Sequence, residues 1–312
     1  MKGVFGNIER VRKLGFEPDV VYIGLEKIQK YEENVVPLLW IPKAESLEEG
    51  VVDVYGRRYL FAFNNSGCIA NPNIICRALK AIEKAHELGY DKIMLDALRL
   101  PSPVDGIYFL STCFCEHSIK LWPRLKKLRS KIKDALRGPS ANSILEILDE
   151  LAEIRAAHVE NLLAIIYDES KDLGIELIAA VFPYPVSKYV GQNPKILRSY
   201  LSEVHVMLYH KCSGAACLNA EIKGLVNTLR GLGLKEEGVL RVIETIFGLD
   251  LKMEEVNSLD DGIGLGHLNA LIDLSESTYG NSFVPILWLD EILAHKVNYY
   301  VNKFRDLDLF AP

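Results

Sequence analysis

The stretch DKIMLDALRLPSP, Asp91 to Pro103, is the part of this chain that says most about its fold. Its apolar centre is typical of a strand inside a parallel sheet, which is covered on both faces, so we expect Ile93 and Leu95 to be buried. Asp96 and Arg99 follow that centre, ahead of two prolines. In parallel α/β proteins the carboxyl ends of the strands open into the site crevice, so charged residues there indicate function. The structural alternative is a buried Asp96–Arg99 ion pair that fixes the following loop.

Strand-like segments recur along the chain, and helical patterns separate several of them. Such alternation is the signature of a mostly parallel sheet. The 312 residues also exceed the roughly 250 that a (β/α) barrel needs. We therefore predict a TIM-barrel-like α/β fold with a parallel sheet, as one barrel-like domain over residues 1–312. The predicted strands are DVVYIGL (19–25), VVPLLWI (35–41), RYLFAFN (58–64), KIMLDAL (92–98), IELIAAVF (175–182), VHVMLYH (204–210) and FVPILWL (283–289), with VVDVY (51–55) as an eighth that forms a hairpin with RYLFAFN.

Two segments are longer than one crossover requires, and we predict helical insertions at about 118–172 and 219–281. The first contains two helical patterns joined by the breaker Gly-Pro-Ser at 138–140. In the second, the apolar residues of VLRVIETIFGL (239–249) recur at helical spacing, which favours a helix over a strand. A further helix is expected to begin near Pro72.

The composition excludes several classes of protein. Hydrophobic residues make up 49% and charged residues 25%, as in ordinary globular proteins. A net charge of −6 argues against nucleic-acid binding, which needs a clustered cationic face. The chain has no secretory-type apolar segment at its start and no apolar run long enough to span a membrane, so we expect a cytoplasmic protein without membrane association. The sequence leaves the oligomeric state open.

The six cysteines are too sparse for a disulfide scaffold, so we expect reduced thiols. The segment STCFCEHS supplies Cys113, Cys115 and His117, which are ligand types that zinc accepts. Their spacing is not that of a zinc ribbon, and a closed site would need a distant residue to join. We therefore expect no bound metal and no cofactor. The nucleotide-binding and serine-hydrolase motifs GxGxxG after a strand, Walker A and GxSxG are also missing from the sequence.

Polar and aromatic residues follow several of the predicted strands. Because the carboxyl ends of parallel strands meet at one face, we expect these side chains to share a pocket. Two of them have structural explanations as well, since Asp290 is a plausible helix N-cap and Glu221 would be stabilised by a helix N-terminus. The expected ligand-binding residues are Arg99, Asn64, Gln192, Tyr209, His210, Trp288 and Asp290.

Four segments in combination resemble those of TIM-barrel proteins described as glycoside hydrolases, distantly similar to the α-amylase superfamily. The segments are LDALRLP, CFCEH, VFPYPVSKYVGQN and MLYHKCSGAACLNAEI, within about residues 58–225. The resemblance implies that Asp96 is the nucleophile, and Arg99 stands at the position of the arginine that follows three residues later in the family's pattern. This chain departs from the pattern in two ways. Ser118 stands where a further cysteine often follows, and no predicted strand carries a clear second catalytic acid.

From these observations we predict a glycoside hydrolase that acts on a carbohydrate or a similar polyhydroxylated ligand through paired carboxylates. Glycoside cleavage uses two carboxyl groups, one to protonate the leaving oxygen and one to attack or to activate water. We assign Asp96 as nucleophile or base and Glu221 as acid, with Glu116 as second choice for the acid. The partner is then a small molecule or an oligosaccharide. Two alternatives stay open, namely an inactive barrel that serves as a scaffold or binding protein, and a metal-dependent hydrolase.

Overall fold

A computed structural model describes residues 2–63 and 65–312. Eight parallel strands close into a barrel, which confirms the predicted TIM-barrel-like α/β fold. Around the barrel the strands follow one another in chain order, apart from a short antiparallel hairpin that lies outside it. The barrel strands are β1 (Lys2–Gly6), β2 (Val20–Gly24), β3 (Val35–Trp40), β6 (Lys92–Asp96), β7 (Glu176–Val181), β8 (Glu203–Leu208), β9 (Phe283–Trp288) and β10 (Leu307–Ala311), and the hairpin strands are β4 (Val51–Val52) and β5 (Arg58–Tyr59).

The first and last strands close the barrel, and sequence reasoning missed both of them. In the closing register, Val4 of β1 lies opposite Val21 of β2 on one side and Leu309 of β10 on the other. The prediction of RYLFAFN as a strand of the main sheet was wrong. Arg58–Tyr59 instead pairs with Val51–Val52 outside the barrel, as the predicted hairpin with VVDVY requires, and Phe61 forms an isolated antiparallel bridge with Ser66.

Helices connect most of the barrel strands. The segment 118–172 is helical on both sides of the break at 138–140, where Ser140 caps the second helix by accepting a hydrogen bond from Ser143 N. The segment 219–281 is also largely helical, and the helix predicted in VLRVIETIFGL is present. The helices are α1 (Ile8–Arg12), α2 (Pro72–Glu87), α3 (Ile107–Ser111), α4 (Glu116–Leu121), α5 (Leu125–Arg137), α6 (Ala141–Asp172), α7 (Val186–Val190), α8 (Pro194–Tyr200), α9 (Leu218–Gly231), α10 (Glu236–Phe247), α11 (Met253–Asn257), α12 (Leu265–Tyr279), α13 (Glu291–Ala294) and α14 (Val297–Lys303), with short 3-10 turns at Leu25–Lys27, Leu47–Glu49, Pro103–Asp105, Leu259–Asp261 and Gly280–Ser282.

The core lies within the barrel and between the barrel and its helices. Ile93 and Leu95 of β6 are both fully buried, as the apolar run predicts. The long helix α6 buries residues along its whole length, from Ile144 to Ile166, and contacts β7. No helix in the described part of the chain is long and apolar enough to cross a membrane.

Charged side chains that hydrogen-bond to one another fill the end of the barrel interior where the strands begin. The imidazole of His205 donates from Nδ1 to Asp308 (2.5 Å) and from Nε2 to Glu203 (2.9 Å). Tyr22 donates its hydroxyl to Asp308 (3.3 Å), and Lys92 donates to Glu203 (3.0 Å). Burial lowers the pKa of His205, but the two carboxylates outweigh it and raise that pKa to about 9. The hydrogen bond from His205 in turn lowers the pKa of Glu203 to about 2. This end of the barrel is therefore held by mutually compensated charges.

Candidate functional site

A cavity of about 300 Å³ opens at the other end of the barrel, where the strands finish. Strand ends supply one side of its lining, since Trp40 ends β3, Asp96 ends β6 and Trp288 ends β9. The loop after β8 supplies another side, through Ser213 and residues 215–217. The carboxyl ends of parallel strands are where barrel enzymes place their sites, so the position and the lining both favour a ligand site.

Aromatic rings form one wall of this cavity. Trp288 and Phe310 stack with ring centroids 4.8 Å apart, and Tyr209 packs against both rings at 5.6 Å and 5.4 Å. The Trp40 indole donates its N–H to Ser66 (2.9 Å), which fixes the orientation of that ring at the edge of the cavity. Three adjoining strands, β8, β9 and β10, thus present a continuous apolar and aromatic surface to the cavity.

Asp96 is the carboxylate of this cavity. Its Oδ1 accepts a hydrogen bond from the N–H of Ala97 (2.6 Å), and the side chain is partly exposed. Burial raises the pKa of Asp96 to about 6, against the lowering effects of the Ala97 N–H and the Arg99 charge. Ala97 itself has a φ of 55°, in the left-handed region that non-glycine residues rarely adopt. Backbone strain and a perturbed carboxyl group at one strand end are features that cluster at functional sites.

Arg99 lines the same cavity, but its ion-pair partner is not Asp96. The guanidinium lies 3.8 Å from Asp105, and both side chains are buried. It also donates to the Leu100 carbonyl (3.0 Å) and lies over the ring of Phe182 at 5.2 Å. The structural alternative of an Asp96–Arg99 ion pair is therefore wrong, because the Arg99 guanidinium is engaged by Asp105. Within the described chain Asp96 forms no ion pair, which leaves its carboxylate available to a ligand.

Glu221 lies behind the wall of the cavity. Its side chain is fully buried and accepts hydrogen bonds from Ser102 Oγ (2.9 Å), Ala216 N (2.9 Å) and Val104 N (2.7 Å). Burial raises the pKa of Glu221 to about 7. Ala216 lines the cavity whereas Glu221 does not, so one layer of backbone separates this carboxyl group from the ligand space.

Glu116 lies at the start of α4 and is exposed, and it lines a different cavity of about 220 Å³. Among the described residues that line the first cavity, Asp96 is thus the single carboxylate.

The remaining expected ligand-binding residues divide into two groups. Tyr209 and Trp288 line the cavity together with Asp96 and Arg99. The others lie outside it and make internal contacts. His210 donates to Asp290 (2.9 Å), Asp290 caps α13 through Leu293 N (2.8 Å), and Gln192 joins Phe182 N (2.9 Å) to the Leu98 carbonyl (3.3 Å). Asn64 lies outside the described residues.

Sequence reasoning missed three aromatic residues that line the cavity, namely Trp40, Phe63 and Phe310. Trp40 ends the predicted strand VVPLLWI and could have been found by the strand-end rule that identified Trp288. Phe310 could not, because its strand was not predicted.

The expectation that all cysteines are reduced was wrong. Cys212 and Cys217 form a disulfide with their Cα atoms 5.3 Å apart. Only five positions separate them, and Gly214 between them adopts a φ of 101°, so the loop turns back tightly enough for the two side chains to meet. The disulfide closes the loop 212–217 that forms part of the cavity wall. Cys68, Cys76, Cys113 and Cys115 are free thiols.

Comparison with known proteins supports the fold. No family model matches the sequence, and no curated protein matches it. Among solved structures, the glycoside hydrolase domain of PgaB (BpsB) from Bordetella bronchiseptica is similar with a TM-score of 0.52 at 11% identity, over 99% of this chain and 92% of that chain. The β-galactosidase from the psychrophilic Marinomonas ef1 is similar with a TM-score of 0.53 at 9% identity, over 99% of this chain and 53% of that one. This chain therefore has the TIM-barrel fold that these two glycoside hydrolases have.

Proposed function

We propose that this chain is a glycoside-hydrolase-like barrel that binds a carbohydrate or a similar polyhydroxylated ligand in the cavity at the carboxyl ends of its strands. The observation that carries the proposal is the arrangement of Asp96 beside the wall of Tyr209, Trp288 and Phe310. Sugars present apolar ring faces that pack on aromatic side chains and hydroxyls that donate to a carboxylate. The names of the two fold relatives favour the same class of ligand.

The size of the cavity favours a small ligand or one end of a larger one. Its volume of about 300 Å³ lies at the lower limit of ordinary small-molecule sites, which span roughly 300–1,000 Å³. A second depression of about 540 Å³ adjoins it and shares Trp40 and Phe63 with it. An oligosaccharide could extend from one into the other across these two rings.

Hydrolysis of a glycosidic bond is the second candidate function. It requires a carboxylic acid about 5 Å from a carboxylate nucleophile in a retaining enzyme, or about 6.5–9.5 Å from a carboxylate base in an inverting enzyme. Glu221 has a pKa suited to that acid, since burial raises it to about 7, but Ala216 stands between Glu221 and the cavity. Cleavage by Asp96 and Glu221 would therefore need the loop 212–217 to move. Because the observed geometry needs no such movement for binding, binding is our principal proposal.

The metal-dependent alternative is not favoured by the arrangement of the thiols. Cys115 and His117 line the separate cavity that also contains Glu116, away from Asp96.

Binding can be tested with a panel of mono- and oligosaccharides by calorimetry. We expect Asp96→Asn and Trp288→Ala each to weaken binding of any recognised sugar at least about tenfold, because one loses a charged acceptor and the other a stacking surface. Glu116→Gln is the matched control, since it also removes one carboxylate but lies on the other cavity. Wild-type affinity in both Asp96→Asn and Trp288→Ala would reject the proposal. Release of reducing sugar by the wild type, and its loss in Glu221→Gln, would establish hydrolysis as well.

A further inference from the structure

Three buried thiols meet outside the set of residues that line the proposed ligand site. The sulfur atoms of Cys68, Cys113 and Cys115 all lie within 4.8 Å of one another. Cys68 precedes α2, whereas the other two lie between α3 and α4, so the cluster joins two loops that are distant in sequence. The sequence-based expectation of no metal considered Cys113 and Cys115 with His117. The structure brings in Cys68 instead, and His117 lies outside the cluster.

The spacing of the cluster is that of ligands around one ion. Zinc–sulfur bonds of about 2.3 Å in a tetrahedron place two sulfurs about 3.8 Å apart, and a sulfur and an oxygen about 3.5 Å apart. The sulfurs of Cys68 and Cys115 are 3.6 Å apart. The buried hydroxyl oxygen of Ser118 lies 3.4 Å from the first and 3.3 Å from the second. With Cys113, these side chains supply three sulfurs and one oxygen, which is the number of donors that a tetrahedral zinc site needs.

Backbone amides are already directed at two of the sulfurs. Val52 N donates to the sulfur of Cys113 (3.4 Å), and Ser118 N donates to the sulfur of Cys115 (3.4 Å). Amide donors to sulfur are weak when the sulfur is a neutral thiol and stronger when it is a thiolate. Such outer contacts are typical of sites that hold metal-bound ligands in place.

A buried arginine lies near the thiol cluster. Arg155 is 1% exposed, and its guanidinium donates to the backbone carbonyls of Tyr189 (2.6 Å), Phe109 (2.5 Å) and Thr112 (3.0 Å). In the part of the chain that the structure describes, it forms no ion pair with a carboxylate. Thr112 directly precedes Cys113, so the cationic group lies next to the thiol cluster. A buried charge of this kind calls for a counter-charge close by.

We propose that Cys68, Cys113 and Cys115 bind a single Zn²⁺ ion as thiolates, with the hydroxyl oxygen of Ser118 at the fourth position. Binding releases the three thiol protons to solvent, and three thiolates with one Zn²⁺ carry a net charge of −1, which compensates Arg155. The cavity of about 220 Å³ that Cys68 and Cys115 line gives the ion a path of entry. The site is structural, because it joins the segment between β5 and α2, which contains Cys68, to the segment between α3 and α4, which contains Cys113 and Cys115. It is independent of the proposed sugar binding.

The first test is the zinc content of purified protein after chelator treatment and reloading with zinc chloride under reducing conditions. We expect one zinc per chain in the wild type and in Cys76→Ser, which removes an exposed thiol outside the cluster. We expect Cys68→Ser to bind zinc at least about tenfold more weakly, since it loses a thiolate ligand. A wild type that takes up no zinc, or a Cys68→Ser variant that binds it as tightly as the wild type, would overturn the proposal. So would a disulfide between two of the three cysteines under these conditions.

A second pair of variants covers the case in which Cys68→Ser does not fold. Ser118→Cys completes a four-thiolate set and should tighten zinc binding at least about tenfold in competition with a chelator. Ser118→Ala, which removes the oxygen, should loosen it. Cobalt in place of zinc gives a direct spectrum, and the sulfur-to-cobalt charge-transfer absorption should rise from wild type to Ser118→Cys. Equal affinities and equal spectra in all three proteins would show that no ion lies beside Ser118 and would reject the site.

Discussion

The two ends of the barrel interior treat buried charge in opposite ways. Where the strands begin, His205 lies between Asp308 and Glu203 and donates a hydrogen bond to each. Where the strands end, Asp96 receives one backbone N–H, and the nearby Arg99 is paired with Asp105. The first set of charges is satisfied within the protein, whereas the carboxylate of the second keeps acceptor positions that face a cavity.

This difference shows in the protonation of the two ends. Attraction between His205 and its carboxylates outweighs burial, so the charged form of His205 is favoured and its pKa rises to about 9. At Asp96 burial outweighs the N–H and the Arg99 charge, so the ionised form is less favoured than in a free carboxyl group and the pKa rises to about 6. Charges that satisfy one another stabilise a fold, and a carboxyl group left without a partner in a cleft is better explained by a ligand.

Asp308→Asn should have the largest effect on stability, because it removes one partner of a buried ion pair and leaves the other uncompensated. We expect the free energy of unfolding to fall by about 3 kcal/mol or more at pH 7, measured by urea denaturation. A loss below about 1 kcal/mol would mean that the network at this end contributes little, and the contrast between the two ends would fail.

The same substitution at the other end is the control. Asp96→Asn should raise the free energy of unfolding at pH 7 by about 1–3 kcal/mol, because the folded state raises the pKa of Asp96 from 3.8 to about 6 and so disfavours its ionised form. Equal losses in Asp308→Asn and Asp96→Asn would remove the distinction.

The stability of the wild type should also depend on pH in a window set by His205. The folded-state pKa of about 9 lies above the ordinary value of 6.5, so the stabilisation is complete below pH 6.5 and is lost as the pH rises through 9. We expect a decline of about 2–3 kcal/mol across that window relative to His205→Gln, which has no proton to lose there. Parallel stability curves for the two proteins, measured by urea denaturation at several pH values, would contradict the assignment.

The charge network around His205 explains why some barrel strands can be predicted from the sequence and others cannot. KIMLDAL and FVPILWL are apolar enough to be identified from composition alone. β1 contains Gly3, where an added Cβ would meet the side chains of Asp308 and Tyr22, and β10 contains Asp308 itself. Both residues lower the strand signal, and both are explained by distant parts of the chain, since Gly3 leaves room for Asp308 and Asp308 accepts from His205 103 positions away. Local sequence does not show that partner.

The sequence likewise predicted only part of the candidate site. The strand-end rule found Asp96 and Trp288, because position along a parallel strand fixes which end of the barrel a residue occupies. It did not separate residues that face the cavity from those that face away. Glu221 and Gln192 also follow strands, yet each is used in hydrogen bonds that hold one loop to another. That distinction depends on the packing of loops that are far apart in the sequence.

Gly214→Ala should have the smallest effect on stability, and it should alter only the end of the barrel that contains the cavity. An added Cβ would meet the ring of Phe63, and the φ of 101° at Gly214 disfavours alanine. Gly56→Ala is the matched control, because Gly56 has a similar φ of 89° but open space around its Cβ position. We expect each variant to lower the free energy of unfolding by about 1 kcal/mol through backbone strain.

Only Gly214→Ala should also shift Phe63, which is 63% exposed and lines the cavity. This shift should change the affinity for sugar severalfold, as measured by calorimetry. An equal change of affinity in Gly56→Ala, or none in Gly214→Ala, would show that Phe63 and the loop 212–217 do not shape the ligand site.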